Sequence, residues 1–255
     1  MSGYGKILYS ADQGIARIKL NRPDKRNALD EELVTELRDA LGRSARDEAV
    51  RVVLVGGAGK DFCAGADLAA LEKISQASVA ENFEDARHLG DLFLEMRRHP
   101  RPIVAAVRGR ALAGGCGLAT AADITLAAES AQFGYPEVKI GFVPAMVMAI
   151  VRRSVPEKRA FELLASGAAI SARDALELGL VNRVFADASF ETDVEAYVAE
   201  LAGKSASAIA LTKSLLYQID AMPFEAALSA GVNVNTLARL TDDCRRGIER
   251  FLKKS

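Results

Sequence analysis

Apolar positions recur along this chain with two periods, and the period switches several times. Residues 7–10 and 14–20 are short alternating runs joined by Ala11-Asp12-Gln13-Gly14, which predicts a β-hairpin. Asn21-Arg22-Pro23-Asp24-Lys25 ends that ladder, because proline has no N–H to donate. Asp30 then stands as a helix N-cap, with Glu31 and Glu32 in the first turn and Leu33, Leu37, Ala40 and Leu41 on one helical face. Residues 51–55 (RVVLV) predict a buried strand ending in a Gly-Gly-Ala-Gly loop. Residues 70–78 are polar without a clear period and predict a mobile loop. Val79, Phe83, Ala86, Leu89, Phe93 and Met96 restore a helical face up to His99-Pro100.

Residues 102–107 predict the next strand, which runs into Gly114-Gly115-Cys116-Gly117 and an Ala/Leu-rich helix. A strand follows at 123–127, then helices at 145–152 and 156–164. Ser171–Asp174 has the form of a capping box, and Gly179 is a C-cap before a strand at 180–185. From Glu191 onward the pattern is helical: 191–202, 206–219, 223–239 and 241–253. Alternating strands and helices with a helical tail predict an α/β protein, with a core over 1–195 and a helical region over 196–255.

Composition narrows the class. The 255 residues are half apolar and carry a formal net charge of -1, unlike the basic surface of a general nucleic-acid binder. Three cysteines without metal-ligand spacing argue for a reducing compartment and against a disulfide framework. The first residues lack an apolar signal core and no run reaches membrane-spanning length, so a cytoplasmic setting is expected.

The chemistry is concentrated between Arg108 and Glu137. A strand meeting a glycine turn that opens a helix leaves N–H groups pointing outward, where the helix dipole favours an anion. Glycine lets a ligand approach the main chain. Glu137 follows a Gly-Tyr-Pro turn and is a candidate acid/base. A second small-residue turn, Cys63-Ala64-Gly65-Ala66-Asp67-Leu68, follows the 51–55 strand. Tyr135 reads as packing. Cys63 and Cys116 lack a neighbouring histidine in sequence. His88 and His99 read as solvated, and Asp67 as a turn-stabilising acid.

Asn21-Arg22-Pro23…Asn27-Ala28-Leu29, Ala64-Gly65-Ala66-Asp67-Leu68, Ala105-Ala106-Val107-Arg108-Gly109…Gly114-Gly115-Cys116, Phe133-Gly134…Pro136-Glu137 and Gly179-Leu180-Val181-Asn182 occur in order over nearly the whole chain. Together they resemble the crotonase (enoyl-CoA hydratase/isomerase) superfamily. The resemblance implies a spiral of ββα turns with a C-terminal helical part that serves oligomerisation. It implies trimers or dimers of trimers, an acyl-CoA thioester substrate, and no metal or redox cofactor beyond the coenzyme A of that substrate. It places the thioester oxygen between the N–H groups of Ala66 and Gly114. It sets coenzyme A against Lys25, Ala28, Ala64, Ala66, Asp67 and Leu68, with Lys25 or Arg26 toward the phosphates. It also brings a C-terminal basic residue, from Arg245, Arg246, Arg250, Lys253 and Lys254, toward coenzyme A.

The chain departs from the two-glutamate hydratases of that family. The residue after Gly-Gly-Cys is Gly117 rather than glutamate, and Pro144-Ala145-Met146-Val147-Met148 replaces a glycine-rich run. One remaining carboxylate and a more apolar pocket favour double-bond isomerisation over hydration. Decarboxylation, thioester hydrolysis, and a non-catalytic scaffold or RNA-binding role are the alternatives. Arg110 is a candidate charge for a carboxylated acyl group.

Overall fold

The computed structural model describes residues 3–253. The hairpin forms from β1 (Ile7–Asp12) and β2 (Ile15–Leu20), turning through Gln13 and Gly14, both at positive φ. Helix α1 (Glu31–Arg46) is capped by Asp30, whose side chain accepts from the Leu33 N–H. Then follow β3 (Val52–Gly57), α2 (Leu68–Gln76), α3 (Val79–Arg98), β4 (Ile103–Val107), β5 (Arg110–Leu112), α4 (Gly114–Ala121), β6 (Ile124–Ala128) and β7 (Gln132–Gly134). A 3₁₀ turn, Pro136–Ile140, precedes α5 (Ala145–Ser154), α6 (Glu157–Ser166), β8 (Ala169–Ser171), α7 (Ala172–Leu178) and β9 (Arg183–Phe185). The tail is α8 (Phe190–Ala202), α9 (Ala206–Gln218), α10 (Phe224–Leu240) and α11 (Asp242–Leu252).

The main sheet has the order β1-β2-β3-β4-β6-β9, parallel except for the hairpin. A second, small sheet runs β5-β7-β8 and is extended by a bridge between Cys63 and Ala111. Each turn of the spiral therefore sends one strand to the main sheet, one short segment to the small sheet, and then a helix.

Both faces of the central strands β3, β4 and β6 are covered, which explains why they are largely continuous apolar runs, whereas the β1–β2 hairpin at the sheet edge alternates. Val53, Val55, Ile103 and Ala105 face the larger core with Leu33, Leu37, Leu92 and Met96. Val52, Leu54, Val104 and Leu126 face Phe190, Val194 and Val198 of α8.

Of residues 70–78, expected as a loop, 70–76 lie in helix α2. Asp67 caps this helix by accepting from the Ala69 N–H at 3.0 Å, and the sequence LAALEKISQ is rich in helix formers. His99, expected on the surface, is 5% exposed. Its Nδ1 accepts from the Arg101 N–H and its Nε2 reaches Ser44 Oγ and the Leu41 carbonyl, which ties α1 to the entry of β4.

The helical tail is anchored by a buried lysine. Lys213 Nζ donates to Asp123 Oδ2 at 2.7 Å and to the carbonyls of Met96 and Arg101 at 3.0 and 3.2 Å, while Tyr217 donates to Asp123 Oδ1 at 2.6 Å. Beyond that anchor, Phe224, Leu228 and Val232 form an exposed i, i+4, i+8 stripe on α10. Among the described residues, no helix is long and apolar enough to cross a membrane.

Candidate active site

Three segments meet where the small sheet joins α4. The first is the Cys63–Asp67 loop after β3. The Leu29 N–H donates to the Gly65 carbonyl at 2.7 Å, and the Asp67 N–H donates to the Leu29 carbonyl at 2.9 Å. Ala66 lies between these two bonds, bridged to Leu29 and exposed. Among the described residues its N–H donates to no backbone carbonyl.

The second segment opens α4. Ala113 sits at φ 49°, a conformation costly for a residue with a Cβ. Its N–H donates to the Gly134 carbonyl at 2.8 Å and its carbonyl accepts from the Gly117 N–H at 2.9 Å. This fixes the first turn, whose N–H groups have no acceptor within the helix. The Gly114 N–H likewise meets no backbone carbonyl among the described residues. Gly65 brings the two segments together. At φ 98°, a Cβ there would stand 2.8 Å from Ala113 Cβ and 3.0 Å from the Leu112 carbonyl. Gly115 is equally constrained, since a side chain would meet the Cys63 carbonyl at 2.4 Å.

The third segment is the 3₁₀ turn carrying Glu137. Pro136 starts it and Gly141, at φ 74°, closes it. The Glu137 side chain is half-buried, and its Oε2 is buried without a hydrogen-bond partner among the described residues. Burial raises its proton affinity above the usual carboxylate range, opposed only by its own backbone N–H. Its charge adds slightly to the rise that burial gives the Cys116 thiol and the Tyr135 hydroxyl.

Tyr135 is fully buried, in keeping with a packing role. Its hydroxyl meets Thr120 Oγ1 at 3.0 Å, and Thr120 donates to the carbonyls of Cys116 and Gly117. Burial pushes both the Cys63 and Cys116 thiols up to about 12, so neither is a thiolate nucleophile at neutral pH.

The space beside Gly117 is filled. A Cβ at Gly117 would lie 2.4 Å from Val147 Cγ1 and 3.2 Å from Phe93 Cζ. Leu29 and Leu89 stand at 3.1 and 4.0 Å from a Cβ at Gly114, and Met146 Sδ at 3.7 Å from one at Gly90. The surroundings are apolar.

A separate ledge carries the residues assigned to coenzyme A. Lys25 and Arg26 are exposed at a tight turn, with Arg26 and Asn27 both at positive φ. Asn27 is fully buried, donating to the carbonyls of Ala58 and Asp61 and accepting from the Arg22 N–H. The Ala28 N–H donates to the Lys25 carbonyl and the Ala64 N–H to the Arg26 carbonyl, so Lys25, Ala28 and Ala64 come together beside Ala66, Asp67 and the start of α2 at Leu68.

Arg110 is committed elsewhere. Its N–H donates to the buried Asp61 carboxylate at 3.0 Å, and its Nε lies 3.6 Å from the same oxygen. Arg245 and Arg246 pair with Asp242 and Asp243 on their own helix, and Lys254 lies outside the described residues. Arg22 and Asn27 belong to the Asn21–Leu29 motif, and nothing adjacent in sequence marks the bonds they make.

Two glycine-rich turns with open N–H groups are chemistry suited to an oxyanion, and a half-buried glutamate is chemistry suited to acid/base work. The chain belongs to the enoyl-CoA hydratase/isomerase family, whose model matches residues 10–255. It is 40% identical over 240 residues to a Thermus thermophilus protein provisionally named an enoyl-CoA hydratase, covering 94% of this chain and 95% of that one. It is 33% identical over 255 residues to the 2,3-dehydroadipyl-CoA hydratase of Escherichia coli, covering 98% and 96%. The crystal structure of an enoyl-CoA hydratase from Mycobacterium smegmatis superposes with a TM-score of 0.94 at 33% identity, covering 98% of this chain and 97% of that one. The crotonase-type ββα spiral with its helical extension is thus the fold of this protein.

Proposed function

We propose that this protein acts on acyl-CoA thioesters and moves a double bond from C3–C4 to C2–C3 with Glu137 as its one acid/base. The observation that carries the reading is Gly117 itself, which brings no carboxylate and whose Cβ direction is occupied by Val147 and Phe93.

The coenzyme A part of the substrate lies along Lys25, Ala28, Ala64, Asp67 and Leu68. The thioester oxygen accepts from the N–H groups of Ala66 and Gly114. The Glu137 carboxylate removes a proton from C2, and the electron pair passes onto the thioester oxygen. Both preset donors strengthen as that negative charge develops, and each is worth roughly 3 kcal/mol. Glu137 then returns the proton at C4, and the electrons collapse into the C2–C3 double bond. The step is redox-neutral and consumes no water. The apolar neighbours Leu29, Leu89, Phe93 and Met146 suit that requirement. The raised proton affinity of Glu137 brings it closer to neutrality, where a base that must also act as an acid works best.

The apolar stripe of α10 supports burial against further copies of the chain, in a homotrimer or homohexamer assembled through the helical region 196–255. We place the protein in the cytoplasm.

Hydration is the second reading, favoured by the names of the relatives. The test is to follow the conjugated enoyl-thioester absorbance with crotonyl-CoA and, separately, 3-hexenoyl-CoA. A gain from 3-hexenoyl-CoA without loss from crotonyl-CoA supports isomerisation. Loss from crotonyl-CoA means hydration. No change with either substrate sinks both and leaves decarboxylase, thioesterase and scaffold readings.

A further inference from the structure

One guanidinium joins the N-termini of two helices. Arg22 Nη2 lies 2.7 Å from Asp67 Oδ2 and 3.0 Å from Asp30 Oδ2. Asp67 caps α2 and Asp30 caps α1, each through its other carboxylate oxygen. Arg22 Nη1 donates to the Ala28 carbonyl at 2.5 Å. The two helices differ in how firmly they are held. Helix α1 buries Leu33, Val34, Leu37 and Leu41. Among the described side chains of α2, none is buried.

Ala66 lies at the loose end of this pair. The peptide that carries its N–H follows Gly65, the most freely rotating kind of residue. On the other side it leads into Asp67 and a helix held by little packing. The Leu29 bridge fixes the atoms flanking Ala66, and Arg22 holds both sides of that bridge, Ala28 on one and Asp67 on the other. A planar fork is suited to such multiple recognition, and a lysine could satisfy only part of it.

We propose that Arg22 is a positioning residue for the Ala66 N–H, acting through Asp67, so that its ion pair aims that donor at the thioester oxygen. The inference rests on Ala66 being an oxyanion donor.

The experiment uses the full chain and dimethylaminocinnamoyl-CoA, a push–pull thioester whose visible band moves to longer wavelength when its carbonyl is polarised. The variants are Arg22→Gln, Arg22→Lys, Asp67→Asn and Asp30→Asn. Asparagine still caps a helix, so both aspartate variants remove charge and leave the cap acceptor. Wild type is expected to bind the probe with a red shift. If it does not, the oxyanion-hole reading itself fails. Given that shift, Arg22→Gln and Asp67→Asn should lose most of the red shift in the bound probe and about 10- to 100-fold in kcat, with KM little changed in Arg22→Gln. Outright loss of a donor costs roughly 10²- to 10³-fold. Arg22→Lys should recover part of both readouts, and Asp30→Asn should keep both. A full red shift in folded Arg22→Gln or in Asp67→Asn overturns the proposal. So does an equal loss in Asp30→Asn, which would mark a merely structural network. Should Arg22→Gln fail to fold, Asp67→Asn decides alone.

Discussion

Replacing Gly117 by alanine puts one methyl group into space that Val147 already occupies. The added carbon would stand 2.4 Å from Val147 Cγ1, and Val147 is 4% exposed on a packed helix, so it has no free direction in which to move. Overpacking of this kind costs about 1–3 kcal/mol. Alanine in a helix interior returns about 1 kcal/mol relative to glycine, so the single variant should lose about 0–2 kcal/mol net. Val147→Ala removes the obstructing methyl and on its own should cost about 2 kcal/mol as a partial cavity. With both changes, Gly117→Ala should become neutral or stabilising, which gives a coupling of about 1–3 kcal/mol between the sites. The assay is thermal unfolding of the four proteins at one concentration, where 1 kcal/mol corresponds to roughly 2–4 °C for a chain of this size. Additivity within about 0.5 kcal/mol would refute the reasoning, because contacting residues must couple. It would also mean that the Cβ direction of Gly117 is not blocked by Val147.

Gly114→Pro should lower kcat by roughly 10²- to 10³-fold while acyl-CoA affinity survives, because proline fits a first helical turn but has no N–H; a steady-state comparison with wild type checks this, and an unchanged kcat removes Gly114 from the oxyanion hole. Lys213→Ala should cost about 3 kcal/mol, the low end for a broken buried pair, since it leaves the partly buried Asp123 without its cation; denaturant titration reads the loss, and a change below 1 kcal/mol would show that the tail is anchored otherwise. Burial lowers the His99 pKa from its ordinary value near 6.5, so the unfolded chain takes up the proton first. The stability from its neutral ring is complete above roughly pH 6.5 and is lost as the pH falls below that. Wild type should lose more melting temperature between pH 7 and 5.5 than His99→Gln, and equal losses would contradict the assignment.

The long-period features were legible because they are local. The α1 and α7 caps, the Gly179 stop and the glycine turn at 114–117 each rest on a few adjacent residues. The three-residue strands β5, β7 and β8 show no pattern of their own, because their pairing is decided by the spiral that brings them together. Helix α2 was hidden because none of its described side chains is buried, so no apolar face marks its period. Within the site, Glu137 and the two glycine turns stand out in the sequence. The displacement of a second carboxylate by Val147 and Phe93 does not, although Gly117 signals that something there is small. Arg22, His99 and Lys213 each act on one partner 45 or more residues away (Asp67, Ser44 and Asp123), which no local pattern records.

The most direct test of the one-base account is Glu137→Gln, which keeps the side chain's shape and removes its basicity. Turnover of 3-hexenoyl-CoA and the dissociation constant of a saturated acyl-CoA should be measured on the same preparation. The account expects turnover to fall by at least 10²- to 10⁴-fold, the usual contribution of a positioned acid/base, with binding unchanged. A variant that keeps the wild-type rate would contradict the central claim, because Glu137 would then not be moving the proton.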